Sequence, residues 1–164
     1  MSVAQRMAVM AGLLSVPMAT AVDREIPAPV QQTDPQGDTR LLKLQKFFRN
    51  CPLRNASVDF IEAADRYDLD WRLLPSISLV ESGGGKAYKN NNVLGWDSGN
   101  RRFGSVRAGI RAVAARISTS ALYRDKDLNE VLATYNPDPA YAARVKSVMQ
   151  KMGSPAAGPE TRLN

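Results

Sequence analysis

Histidine is absent from this 164-residue chain, and cysteine occurs once, as Cys51. The first absence excludes a Ser-His-Asp triad, a Cys-His dyad and any histidine-ligated metal. The second excludes a disulfide or thiolate cluster within one chain. Flanked by Asn50 and Pro52, Cys51 reads as a small filler rather than a nucleophile. Catalysis is left to carboxylates, hydroxyls, amides, tyrosines or basic side chains, and no metal or cofactor is expected. Long basic blocks are also missing. Lys and Arg number 22 against 16 Asp and Glu, a net charge of +6, yet the longest basic run is the pair Arg101 and Arg102. Without a basic block interleaved with aromatics, nucleic acid is not the expected partner. An anionic wall polymer or membrane surface suits such scattered charge better. No apolar run is long enough to span a bilayer, so no stable membrane anchor is expected.

Hydrophobic residues make up 44% of the chain, enough for a packed core. Residues 1–21 read as a secretory signal: basic Arg6, an apolar core over residues 7–16, then Ala19-Thr20-Ala21 as the cleavage pattern. Export to a periplasmic or extracellular space follows from that reading. Residues 22–37, rich in Pro and Gln, have linker composition, and the Gly- and Pro-containing stretch 153–164 reads as a disordered tail.

The remainder, residues 38–152, reads as one mainly α domain. Leu41, Leu44 and Phe48 share a face of a helix starting near Asp38 or Thr39, closed by Pro52. Ser57 is the expected N-cap of a second helix bearing Phe60, Ala63, Ala64 and Tyr67. Asp70 is expected to cap a third over residues 71–82, with some irregularity at Pro75. Residues 83–104 hold six glycines and the run Asn90-Asn91-Asn92, which predicts a long irregular segment with short strands admissible. Ser105 then caps a helix carrying Val106, Ile110, Val113, Ala114 and Ile117. Asp127 and Glu130 form a capping-box pattern ahead of Leu128, Val131, Leu132 and Tyr135. Asp138 and Pro139 open a last helix with Tyr141, Val145, Val148, Met149 and Met152 inward and Gly153 at its end.

The segment WRLLPSISLVESGGGK, residues 71–86, delivers one carboxylate, Glu81, to the end of an apolar helix. The negative end of the helix dipole and burial beside Leu74, Ile77 and Val80 both disfavour ionising such a group. A carboxyl kept protonated can act as a general acid. The alternative is a solvated Glu on the last turn of a core helix.

Further motifs accompany it. Glu81-Ser82-Gly83-Gly84-Gly85-Lys86 is followed by Asn91-Asn92-Val93-Leu94-Gly95-Trp96, then Phe103, Ser105 and Gly109-Ile110, then Ala133-Thr134-Tyr135-Asn136. In this order they resemble the lysozyme-like superfamily, specifically soluble lytic transglycosylases and bacterial endo-β-N-acetylglucosaminidase domains. The resemblance covers residues 57–152. It implies a transglycosylase-type helical domain with a Gly/Asn-rich active-site segment, acting on the glycan strands of peptidoglycan at β-1,4 bonds between N-acetylated amino sugars. It implies Glu81 as general acid/base. Two departures stand out: Gly84 replaces an aromatic found in many relatives, and the A-Y-N motif carries one extra residue.

Most glycosidases use a second carboxylate. Asp97 is the candidate, and a turn-forming Asp in D-S-G is its other reading. The resemblance implies that one Glu can suffice, protonating the leaving oxygen and then removing a proton as the sugar's 6-hydroxyl closes a 1,6-anhydro ring. Ser82 is a candidate to bind the acid or the substrate, or a plain helix-end hydroxyl. Asn91 and Asn92 are candidates for sugar contacts or turn residues, and Trp96 either stacks on a sugar or seals the core. Tyr135 matches the family's cleft tyrosine and equally fits a core stripe; Asn136 shares the cleft or ends the helix. Trp71 reads as core or interface. A non-catalytic glycan-binding module and a small basic helical adaptor are the competing functional classes.

Overall fold

Asp38 starts the folded region: its carboxylate accepts the Arg40 amide at 2.8 Å and caps α1 (Thr39–Phe47). The computed structural model describes residues 37–155. The segments expected to be a signal (1–21), a linker (up to residue 36) and a tail (from 156) lie outside the described residues. The Arg40 side chain then bridges Asp38 and Asp65, at 2.7 and 2.6 Å, which pins α1 to the end of α2 (Ser57–Arg66).

Extended backbone at Cys51, as the residue before Pro52 requires, leads into a 3₁₀ turn, Pro52–Ala56. That turn runs straight into α2, so Ser57 is the first helical residue and not its cap. Its hydroxyl donates back to the Arg54 carbonyl at 2.7 Å. A similar shift occurs ahead of α3 (Leu73–Ser82). The Asp70 carboxylate accepts the Arg72 amide at 2.9 Å and caps a separate turn, so the helix starts two residues later than expected. Pro75 therefore falls inside the first helical turn, where no amide donor is needed, and the expected irregularity vanishes. Asp138 repeats the device by accepting the Ala140 amide at 2.9 Å, leaving Pro139 outside α6 (Tyr141–Lys151).

The other two caps form as the pattern predicts. The Ser105 hydroxyl accepts the Ala108 amide at 3.1 Å at the head of α4 (Val106–Thr119). Asp127 and Glu130 exchange bonds of 2.9 and 2.8 Å in a full capping box on α5 (Leu128–Tyr135).

The fold is mainly α: six α-helices and one 3₁₀ turn, with no strand among the described residues. Residues 83–104 form successive turns instead of the short strands admitted above. α3 is apolar on nearly every face and runs through the middle. It packs chiefly on α6, while α2 packs on α4 and α1, and α5 packs on α6. Phe48, Phe60, Leu74, Ile77, Ile110, Leu132 and Val145 are fully enclosed by this arrangement, and Trp71 lies in the core. Among the described residues, no helix is long and apolar enough to cross a membrane.

Two capping aspartates shape the response to acid. The Arg40 hydrogen bond holds Asp38 below its ordinary value. Burial pushes Asp70 up, but the Arg72 side chain and amide more than reverse it. An aspartate held below 3.8 when folded contributes stability that is complete above 3.8 and lost as pH falls through its lowered value. Asp59, raised chiefly by burial, acts in the opposite sense, its contribution fading as pH rises through its folded value. Acid unfolding followed by circular dichroism should therefore begin below about 3.8, and Asp38→Asn should make that limb shallower. An unchanged acid limb in the variant would show that Asp38 does not carry it.

Candidate active site

α3 ends in a left-handed glycine cap. Gly83 adopts φ +62°, its amide donates to Leu79 O at 3.0 Å, and the Gly84 amide donates to Ser78 O at 3.2 Å. The next two glycines are required by close packing. A Cβ on Gly84 would lie 2.8 Å from Cys51 Sγ, and one on Gly85 would lie 2.8 Å from Leu53 Cγ. Cys51 and Leu79 thus leave no room for a side chain at position 84.

Glu81 sits on the last turn of α3, half-buried, with its carboxyl laid against the backbone of Gly95. A Cβ at position 95 would come within 2.7 Å of Glu81 Cδ and 3.0 Å of its Cγ, and Gly95 also has φ +67°. Space and conformation both demand glycine there.

The loop that supplies Gly95 is held by Asn92, whose side chain is 4% exposed. Asn92 Oδ1 accepts the Trp96 amide at 2.9 Å, and Nδ2 donates to Trp96 O at 2.8 Å and to Arg101 O at 3.1 Å. Between those anchors Gly95, Asp97, Ser98 and Gly99 all have φ between +51° and +78°. Aspartate is among the few side chains that tolerate this region, so the turn reading of Asp97 is realised geometrically. Asn91, at φ +57°, donates from Nδ2 to Phe103 O at 2.9 Å and closes the loop's other end.

From the opposite side, the Tyr135 hydroxyl donates to Leu94 O at 2.6 Å. Its ring meets Trp96 edge-on at 5.4 Å and stacks on Tyr141 at 6.1 Å. Between α3, this loop and the end of α5 lies a cleft of about 500 Å³. Glu81, Trp96, Asp97, Tyr135 and Asn136 all line it. Sites expected from sequence but placed outside the lining are Ser82, Asn91 and Asn92. Ser82, 3% exposed, donates to Ser78 O and accepts the Gly85 amide, so its hydroxyl is spent on the helix end. The two asparagines shape the loop rather than face the cleft.

Arg101, Ser98, Tyr123 and Pro137 also line the cleft, and none was expected from sequence. Tyr123 is buried 6.3 Å from the Trp96 ring, in the polar connection between α4 and α5. A lone aromatic outside every apolar stripe was the available signal for it. Tyr141 was read as one of several inward residues of α6, and periodicity cannot separate it from Val145.

Tyr141 is 1% exposed, and its hydroxyl meets no acceptor in good hydrogen-bond geometry. Burial raises its pKa most, followed by the Glu81 charge and a loose hydrogen bond to Glu81. The same carboxylate, after burial and Tyr141, helps hold Tyr135 well above its ordinary value. Both phenols therefore stay neutral at any physiological pH; Tyr135 gives its proton to Leu94 O, and Tyr141 is the one that presents a proton beside Glu81. No group of three or more Asp, Glu or Cys among the described residues is placed to hold a metal ion. A side-chain set of one half-buried carboxyl, neutral phenols and aromatic faces can move a proton at a bound neutral ring.

No protein-family model matches this chain, and no curated protein matches it either.

Two substitutions should separate packing from chemistry. Gly95→Ala forces a left-handed alanine, costing about 1–2 kcal/mol, and adds the clash with Glu81. Tyr141→Phe removes a buried hydroxyl that lacks a good partner, so stability should hold or rise. Urea denaturation checks both; a Tyr141→Phe loss beyond about 1 kcal/mol would mean that the hydroxyl is satisfied in solution.

Proposed function

We propose that this protein is an exported peptidoglycan-cleaving glycosidase, acting on β-1,4 bonds between N-acetylated amino sugars with Glu81 as general acid/base. The observation that carries the reading is the position of Glu81: the only carboxyl at the cleft wall braced by both a glycine backbone and a layer of neutral phenols. Asp97, the other lining carboxyl, stands exposed on the turn.

The proposed chemistry starts with a sugar strand laid along the cleft. The faces of Trp96 and Tyr123 offer apolar surface for sugar rings, and Asn136 offers an amide to their hydroxyl or acetamido groups. Glu81 donates its proton to the bridging oxygen as the glycosidic bond breaks, and the ring carbon develops positive charge. The carboxylate left behind faces the Tyr141 hydroxyl, a loose donor that can tighten as charge appears. Two completions share this first step. In one, Asp97 assists water or the ring carbon from the other side. In the other, Glu81 takes a proton from the sugar's own 6-hydroxyl as the anhydro ring closes.

Glu81→Gln keeps the shape and loses the proton, so lysis of purified sacculi should fall at least about 100-fold with an unchanged circular dichroism spectrum. Undiminished lysis would sink the reading, and muropeptide binding without turnover in the wild type would select the non-catalytic module. Mass spectrometry of the digest distinguishes the completions: anhydro ends, with Asp97→Asn nearly as active as wild type, indicate the single-glutamate route. Reducing ends, with Asp97→Asn impaired, indicate hydrolysis.

A further inference from the structure

The cleft carries one basic side chain, Arg101, beside two carboxyl groups, Glu81 and Asp97. Of the twelve arginines among the described residues, Arg40, Arg72, Arg107, Arg111 and Arg144 join ion pairs with aspartates or glutamates and seven do not; Arg101 is the one of those seven that lines the cleft. Arg101 joins none among the described residues, although Asp97 is on the same wall. Its backbone, in contrast, is fixed, because its carbonyl accepts the Asn92 Nδ2 bond at 3.1 Å from a buried side chain. Asp97 and Ser98, both at positive φ, line the cleft together with Arg101. A buried amide therefore fixes the backbone from which the exposed, unpaired Arg101 side chain lines a substrate-sized opening.

An unpaired guanidinium has five donors in a planar fork and suits a carboxylate bound by two parallel bonds. Asp97 would repel any anion that entered a cleft without it. A neutral amino-sugar strand needs no such cation. We infer that Arg101 is a specificity residue that selects strands bearing a carboxylate over neutral strands of the same sugars. This rests on the glycan reading of the cleft given above. The carboxylate has two possible sources: the lactyl ether of a muramic-acid residue, or the peptide attached to it.

Three soluble probes separate these sources: neutral chitooligosaccharides, peptide-stripped wall strands with free lactyl carboxylates, and strands that keep their peptides. Affinity and kcat/KM are measured for wild type, Arg101→Gln, Arg101→Lys and Arg102→Gln. Arg102 is exposed and does not line the cleft, so it reports the effect of surface charge alone. The side-chain changes at 101 leave the Asn92 bond intact, since that bond is to the backbone. The wild type should favour one carboxylate-bearing probe over the neutral one. In Arg101→Gln that ratio should fall about 10- to 100-fold, the worth of a charge-assisted bidentate contact. Arg101→Lys should keep part of it, having charge without the fork, and Arg102→Gln should keep all of it.

Preference for stripped strands names the lactyl group, and preference for peptide-bearing strands names the peptide. An equal ratio in wild type and Arg101→Gln, or an equal fall in Arg102→Gln, would overturn the inference and leave the glycosidase reading standing. Charge-selective, Arg101-dependent binding without any cleavage would do the reverse. Failure of the wild type to bind any of the three probes would overturn both.

Discussion

A single buried side chain, Asn92, sets the geometry on which the cleft depends. Its amide makes three bonds to the backbone of Trp96 and Arg101, and almost none of it is exposed. A buried amide left unsatisfied costs about 1–3 kcal/mol, so the loop cannot relax away from it cheaply. The strain of consecutive left-handed residues is held in place by these bonds. Gly95 arrives under Glu81, Trp96 turns toward Tyr135, and Asp97 and Arg101 reach the opening. Side-chain chemistry at the cleft is thus determined by backbone held from behind.

Behind Glu81 stands a layer of tyrosines and not a layer of aliphatic residues. Tyr135 spends its hydroxyl on Leu94 O at 2.6 Å, so it braces the loop. Tyr141 spends its hydroxyl on nothing in good geometry and is enclosed all the same. A buried donor without a partner is expensive, and an aliphatic residue at the head of α6 would avoid the cost. Its presence next to a carboxyl makes sense if the donor matters when that carboxyl carries charge. On the proposed reading that moment is the one after proton transfer.

Much of this was legible in the residues, and the reasons for the exceptions are physical. Helix faces such as Leu41/Leu44/Phe48 and Ile110/Val113/Ile117 follow from periodicity, because burial of one stripe repeats with the helical turn. Asp38, Ser105 and Asp127 cap as their spacing predicts. Asp70 and Asp138 do not begin helices, because each first closes a local turn with the amide two residues on. Sequence spacing does not distinguish the two motifs, since both use the same carboxylate-to-amide bond. The cleft was harder. Glu81, Trp96, Asp97, Tyr135 and Asn136 come together from three separate segments, and their order suggested that. Ser82, Asn91 and Asn92 carry the right polar groups but aim them at backbone, and only tertiary structure reveals where an amide points.

The distribution of charge makes one further demand on the proposed chemistry. A net charge of +6 spread over the surface draws an anionic polymer toward the molecule without choosing where it binds, since exposed charges are screened beyond about 10 Å at 0.1 M salt. Inside the cleft that spread gives way to single charges, Asp97 and Arg101 on the same wall. A strand carrying regularly spaced carboxylates is therefore attracted by the surface and resisted by the interior wherever its charge approaches Asp97. Arg101 relieves that resistance at one place only. A carboxylate seated there fixes how far the strand can slide, and with it which glycosidic oxygen comes to lie over Glu81. Recognition of charge and choice of bond would then be one event, set by the same loop that Asn92 holds.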